Sequence, residues 1–268
     1  MAKQHQDSAG EAFTNLTHLP FELDGGIAAR ARIGVIVLAS DHTVEHEFRA
    51  ILDLPGVAFY EARIANDPSI TPETLKAMEG RIAGTADLIL PGVPLDVVCY
   101  GCTSASMVIG EERVFELVRQ ARPEARVTTP ITGAFAAFRA MGARRIGVLT
   151  PYRDDINRFM RDYIQARGFE VPVFGSFNEE NDNRVSCISP ASIRAALLEI
   201  GRRDNVDAVF VSCTSLRLAQ VAAEVEAELG KPVTSSNHAM AWHALRLAGI
   251  AEPLPRYGRL YELDVQGV

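Results

Sequence analysis

Lysine is almost absent from this chain. Of 268 residues only Lys3, Lys76 and Lys231 carry it, and arginine supplies the rest of the positive charge. The formal net charge is −7 and no basic stripe or block occurs, which argues against nucleic acid or a membrane surface as a partner. Long apolar runs are missing too. The best candidate, residues 86–100, is broken by Pro91, Pro94 and Asp96, so no segment reads as a membrane span. The stretch Met1 to Gly10 is polar, with neither a basic nor an apolar signal-peptide region, and a cytoplasmic location is expected. Cysteine is scarce: four thiols in a chain of this type do not make a disulfide framework. Cys99 and Cys102 form a C-x-x-C, but no second pair completes a zinc site. The densest metal-like cluster, Asp41, His42, Glu45, His46 and Glu47, reads as a capped helix with a solvated polar face, so no metal is expected. What remains is an ordinary globular balance, 47% hydrophobic and 23% charged, enough for one large domain or two small ones.

Against that scarcity, two of the cysteines stand in a repeated tripeptide. Cys102-Thr103-Ser104 follows an apolar run ending at Tyr100, and Cys213-Thr214-Ser215 follows one ending at Val211. Each precedes a stretch of helical character, Ala105 to Gln120 and Leu216 to Leu229. A buried strand, a small polar turn and a helix make a βα junction, and sites in open parallel sheets form at the carboxyl ends of strands. The repetition is wider than the thiols. Ile33-Gly34-Val35 recurs as Ile146-Gly147-Val148, 113 residues later; the Cys-Thr-Ser copies lie 111 apart; Ala134 to Gly142 resembles Ala241 to Gly249, 107 later. Three matches in order at nearly constant spacing read as an internal duplication.

Strands and helices alternate along the chain. Strands are predicted over 32–39, 57–63, 95–100, 125–128, 145–150, 171–175, 208–211 and 232–234. Thr71-Pro72-Glu73 starts a helix running to about Ala83; Gly142, Gly168 and Gly249 end others. The polar segment 176–189 is predicted to be a long binding loop or lid. The fold class is therefore α/β: two pseudosymmetric Rossmann-like lobes, each with a mostly parallel sheet flanked by helices, and the active site in the cleft between them. Residues 1–30 read as a lead-in, 31–129 plus 233–268 as the first lobe, and 130–232 as the second.

The chemistry follows from the thiols. A cysteine at a helix N-terminus has a lowered pKa, and the same free N–H groups hold a substrate carboxylate. Two such positions facing one cleft suit proton removal and return on opposite faces of a carbon, which is racemisation. They equally suit thiolate addition, rotation and elimination, which is cis–trans isomerisation. Cys102 and Cys213 are thus the candidate catalytic pair, while Cys99 and Cys187 read as packing residues. Tyr152, at the carboxyl end of a strand, is placed to donate to a carboxylate or enediolate oxygen. His238, beside a helix start, is a candidate for reaching the cleft, and Asn178 in the polar loop is a further substrate-binding candidate. A decarboxylase using Cys213 alone and a non-enzymatic small-molecule binder are the competing readings.

These motifs resemble the aspartate/glutamate racemase superfamily, within it the branch of maleate cis–trans isomerases and arylmalonate decarboxylases. The resemblance covers nearly all of residues 32–250. It rests on GCTSAS from Gly101, TPY from Thr150, SCTS from Ser212 and the stretch ending at Gly249. Asp41 to Phe48, Gly101 to Glu112, Phe174 to Glu180 and Ser212 to Arg217 are most similar to an ectoine-utilisation group of that branch. The resemblance implies no cofactor, a catalytic pair at Cys102 and Cys213, and a small carboxylate-bearing substrate held by Tyr152, Thr103, Ser104 and Thr214. A homodimer is compatible with it. Arylmalonate decarboxylases carry glycine where Cys102 stands, so two thiols place this sequence on the isomerase side. Maleate isomerases carry asparagine where Asp41 stands. An ionised Asp41 in the cleft would repel the second carboxylate of maleate and suit a substrate with one carboxylate and one cation.

Overall fold

The computed structural model describes residues 5–6, 12–179 and 181–265. Eight parallel strands among the described residues form two sheets. In the first, β1 (Ala31–Leu38), β2 (Val57–Ile64), β3 (Val97–Gly101) and β4 (Arg126–Thr128) lie in the order β2-β1-β3-β4. In the second, β5 (Arg145–Thr150), β6 (Glu170–Ser176), β7 (Ala208–Val211) and β8 (Val233–Ser235) lie in the order β6-β5-β7-β8. The two orders are the same winding, so the duplication legible in the sequence is a duplication of topology. Each lobe puts the strand that precedes a Cys-Thr-Ser motif, β3 or β7, beside its first strand, β1 or β5.

The helices form where their caps and apolar faces dictate. On α1 (Val44–Ile51), Val44, Glu47, Phe48 and Ile51 are buried, the i, i+3, i+4, i+7 face of an amphipathic helix. In α6 (Pro130–Ala140) and α9 (Pro190–Gly201), proline opens the first turn, and the hydroxyls of Thr129 and Ser189 accept the N–H two places beyond it. In α11 (Ser236–Leu247), Ser235 caps His238 N. Gly142, in the left-handed region at φ 66°, turns the chain out of α6, and α7 (Asp154–Gln165) follows β5.

Three predicted helices differ. The one from Thr71 is a capped single turn, α2 (Pro72–Lys76), followed by a 3₁₀ turn at Glu79–Arg81 and α3 (Ile82–Asp87). The helix after the first thiol is broken into α4 (Thr103–Ile109) and α5 (Glu111–Ala121), because Gly110 sits at φ 95°. The helix after the second thiol is only α10 (Ala222–Leu229), and residues 212–221 run as turns. The reason is tertiary: Leu218 N and Ala219 N donate to Glu47 Oε1 of the other lobe, at 2.8 and 2.7 Å. The polar segment is not wholly irregular, since it contains α8 (Asp182–Val185).

The lobes share one core. One cluster of buried side chains runs from Val35 and Phe48 of the first lobe to Val148 and Phe210 of the second. Helix α11 lies across α6 so closely that a Cβ at Gly133 would meet the Ala239 carbonyl oxygen at 2.8 Å. The predicted lobe boundary at 233 is corrected: Val233, Thr234 and Ser235 pair in register with Val209, Phe210 and Val211, so that strand closes the second sheet. The described residues after Pro253 pack, with Tyr257, Leu260 and Tyr261 buried. In the lead-in, His5–Gln6 pairs with Ala12–Phe13, residues 14–27 are exposed, and the rest of 1–11 lies outside the described residues. Among the described residues no helix is long and apolar enough to cross a membrane.

Candidate active site

A cavity opens between the carboxyl ends of the two sheets. Cys102, Thr103 and Ser104 line it from the first lobe, and Tyr152, Cys213 and Thr214 from the second. Its floor and rim add Leu38, Leu75 and Met78, the loop carrying Asn66, Asp67 and Ser69, and Asp182.

Ser236 ties the two thiol motifs together. Its hydroxyl oxygen accepts from Thr103 Oγ1 at 2.7 Å and from Cys213 N at 3.1 Å. Cys102 caps α4 in an extended conformation; Ser104 Oγ lies 3.8 Å from its sulfur, and Ala105 N points at the same atom. Cys213 is held differently. It sits at φ 145°, a region that costs a non-glycine residue about 1–3 kcal/mol and that collects at functional sites. Ser215 N points at its sulfur at 3.4 Å, and the Tyr152 hydroxyl hydrogen-bonds it.

The lowered thiol pKa expected from a helix N-terminus is overturned. Burial pushes Cys102 up to about 12, against the smaller opposing effects of Ala105 N and Ser104. Burial pushes Cys213 higher, with the Asp182 charge adding to it and Tyr152 opposing. Cys213 has no helix start at all, since α10 begins nine residues later. Both thiols are therefore protonated in the free protein near neutral pH.

Asp182 is the residue that sequence reasoning passed over. It is 5% exposed, and each of its oxygens accepts one hydroxyl at 2.7 Å: Oδ1 from Ser215, Oδ2 from Ser40. Asn66 Nδ2 donates to Ser40 Oγ at 2.8 Å, and Ser69 forms a bridge with Asn181, so the loops of both lobes meet over the cavity. The only sequence trace of this was a polar run whose members looked alike.

Three predicted site residues stand elsewhere. Asp41 does not line the cavity: Oδ1 accepts Thr43 N and Val44 N at the start of α1, while the buried Oδ2 has no partner within hydrogen-bond geometry. Burial raises its pKa, with the backbone N–H groups and Thr214 opposing. Asn178 is exposed, its backbone N–H bonded to Ser176 Oγ. His238 is fully buried and faces away, Nε2 on the Tyr257 carbonyl at 2.7 Å and Nδ1 on Thr234 Oγ1 at 3.0 Å. Burial lowers its pKa to about 4, so it is a neutral packing residue. Cys99 is buried, whereas Cys187 is exposed instead of packed. His42 bonds Asn183 and His46 bonds Gln220; among the described residues no three His, Cys, Asp or Glu side chains gather as a metal site.

Residues 33–261 match the family described as arylmalonate decarboxylase. The chain is 30% identical over 246 residues to maleate isomerase of Nocardia farcinica, covering 87% of this chain and 96% of the relative. It is similar in structure to a cysteine-to-alanine mutant of the maleate isomerase from Pseudomonas putida S16 with maleate: TM-score 0.79, 26% identity, 86% of this chain and 97% of that one. It is also similar to a cysteine-to-serine mutant of the Nocardia farcinica maleate cis–trans isomerase with a covalently bound succinylcysteine intermediate: TM-score 0.76, 27% identity, 86% and 98% covered.

Proposed function

This chain belongs to the arylmalonate decarboxylase family, and on that premise we propose that it is a cofactor-independent isomerase whose two thiols act on the carbons next to a carboxylate. The observation that carries this reading is the pair Cys102 and Cys213, one from each duplicated lobe, lining a single cavity. Thr103, Ser104 and Thr214 supply hydroxyls and N–H groups for a carboxylate, and Tyr152 an O–H beside Cys213.

With an unsaturated carboxylate the steps balance as follows. Cys102 first gives its proton to solvent; its thiolate then adds to the β-carbon, and the π electrons move onto the carboxylate as an enediolate. The Cys213 thiol gives its proton to the α-carbon. Rotation about the new single bond follows; the Cys213 thiolate retakes the proton, and expulsion of the Cys102 thiolate restores the double bond. With a saturated substrate the same pair takes an α-proton on one face and returns one on the other. Cys102 is assigned the nucleophile because its sulfur faces Ala105 N and Ser104 at a helix start, and Cys213 the proton donor because the Tyr152 hydroxyl holds the thiolate it leaves. A role in ectoine or hydroxyectoine breakdown is supported by the four motif stretches noted above.

The test is proton NMR in buffered heavy water, with maleate, aspartate, hydroxyectoine and phenylmalonate as substrates. Isomerised product, or deuterium at the α-carbon, lost in Cys102→Ser, is the expected result. Carbon dioxide release that survives Cys102→Ser would instead mark a decarboxylase working through Cys213 alone.

Tyr152→Phe removes one O–H from a buried site without changing its volume much. It is expected to lower kcat about 10- to 100-fold with little change in KM, because the hydrogen bond strengthens only when Cys213 carries charge. Steady-state kinetics by NMR checks this; an unchanged kcat would remove Tyr152 from the reaction.

A further inference from the structure

We infer that Asp182 binds a cationic group on the substrate, so that the site takes a zwitterion or an amidinium-bearing monocarboxylate in preference to a dicarboxylate. The inference rests on the proposed two-thiol chemistry and names its substrate class.

The cavity is identified as a ligand site by its thiols, independently of its charge. Among the described residues that line it, Asp67 and Asp182 are carboxylates and none is lysine, arginine or histidine. Asp182 is anchored, not solvated: the hydroxyls of Ser40 and Ser215 occupy one hydrogen-bond position on each oxygen. A carboxylate oxygen accepts more than one hydrogen bond, so each keeps acceptor capacity for an N–H donor from the substrate. Asp41 lies buried behind this wall, on the same side of the thiols as a second carboxyl coupled to both. The Arg63 guanidinium is engaged elsewhere, on the carbonyls of Leu38, Ala39 and Asp41 and on the Glu45 carboxylate.

A dianion entering this cavity brings its second negative charge to a wall that offers hydroxyls and N–H groups but no cation. In a water-poor site, like charges a few ångströms apart repel strongly. A substrate with one carboxylate and one cation fits both ends: hydroxyls and N–H groups at the thiol motifs, carboxylate at Asp182. The cation also serves the chemistry. Asp182 and Asp41 disfavour thiolate at both cysteines, and a bound positive charge between them offsets that effect at the moment a thiolate is needed.

The experiment compares two probe classes on the whole protein. Cation-bearing monocarboxylate probes are L-alanine and hydroxyectoine; the dianion probe is maleate. Protection from thermal unfolding, read as the rise in melting temperature with probe concentration, reports binding, and NMR in heavy water reports turnover. Wild type is expected to be protected by at least one cation-bearing probe at about 10- to 100-fold lower concentration than by maleate, the span of one charge-assisted hydrogen bond. Asp182→Asn keeps an acceptor for one hydroxyl and is expected to reduce or invert that preference. Maleate protecting wild type as well as or better than both cation-bearing probes overturns the inference, and this arm needs no variant to fold. So does an unchanged preference in a folded Asp182→Asn. Protection without turnover by any probe leaves the Asp182 assignment standing and strikes the isomerase reading instead. Turnover of maleate at Cys102 with no cation preference does the reverse.

Discussion

Serine in place of Cys213 is expected to lower turnover at least about 10⁴-fold while leaving a covalent adduct on Cys102. A serine hydroxyl is a far weaker acid than a thiol, so the enediolate formed by addition at Cys102 is protonated slowly, from solvent, and the saturated adduct then has no thiolate to retake its α-proton. The substitution is close to isosteric, and Cys213 is buried at 4% exposure, so the fold should tolerate it. Serine at Cys102 should lose activity to the same extent with no adduct, because the nucleophile itself is gone. Effects of two residues that act as a unit do not add, so the double variant should be no slower than either single one. Intact-mass spectrometry distinguishes adduct from no adduct, and NMR measures the rates. Activity within tenfold of wild type for both single variants would sink the two-thiol reaction. An adduct on Cys213 in the Cys102 variant would reverse the assigned roles and keep the chemistry. The difference predicted between the two thiols comes from their surroundings. Cys102 faces N–H and hydroxyl donors at a helix start, whereas Cys213 is held at a strained φ beside a tyrosine.

Removing the carboxylate of Glu47 is expected to cost about 3–5 kcal/mol of stability, the range for stranding buried partners of a charged group. Glu47 is 1% exposed on α1, yet every hydrogen bond of its carboxylate goes to the second half of the chain. Oε1 accepts Leu218 N and Ala219 N, and Oε2 accepts Asn237 Nδ2 at 2.8 Å. Asn237 in turn donates to the Thr214 carbonyl at 2.7 Å. Glu47→Ala leaves these donors buried without acceptors and loosens the turn that positions Cys213 and Thr214, so activity should fall with stability. Thermal and denaturant unfolding would measure it; a loss under about 1 kcal/mol would show that the turn finds other partners.

The same residue sets a pH dependence with a definite sign. Burial raises the Glu47 pKa to about 7, against the three donors that lower it. The folded protein therefore holds a proton that the unfolded chain releases at lower pH. The resulting stabilisation is complete below the ordinary glutamate pKa of 4.5 and is lost as pH rises through about 7. His238 and His243, lowered to about 4, act in the opposite sense as pH falls below 6.5. They are common to wild type and Glu47→Gln, so the difference between those two melting curves isolates Glu47. Wild type should lose up to about 3 kcal/mol relative to Glu47→Gln between about pH 5 and pH 8. A flat difference would place the titration elsewhere.

Much of this molecule was local enough to read. The strands at Arg145–Thr150 and Ala208–Val211 and the helix Pro190–Gly201 have the bounds their apolar runs, Ser-Pro start and flanking glycines imply. The repeated spacing of Ile-Gly-Val and Cys-Thr-Ser pointed to two equivalent lobes, and the two sheets have one strand order. Cys102, Thr103, Ser104, Tyr152, Cys213 and Thr214 meet in one cavity because each stands at the carboxyl end of a parallel strand, a position that sequence pattern marks.

What lay beyond the sequence depends on groups brought from far along the chain. The helical period after Cys213 is genuine, but Glu47, 171 residues earlier, takes the N–H groups of Leu218 and Ala219 and holds the segment as turns. The helix start at Cys102 was legible, but its effect on acidity was not, because burial by both lobes outweighs it. Asp41 stands out as a charge at the end of the first strand, yet backbone donors on α1 claim one of its oxygens, and the carboxylates that line the cavity are Asp67 and Asp182. Sequence by itself determined the strands, the doubled winding and the two thiols, since these follow from periodicity and repetition within short windows. Only the tertiary structure decided the charge of the pocket, the protonation of the thiols and the shape of the second motif, because burial and hydrogen-bond partners are set by whichever distant residues the two lobes bring into contact.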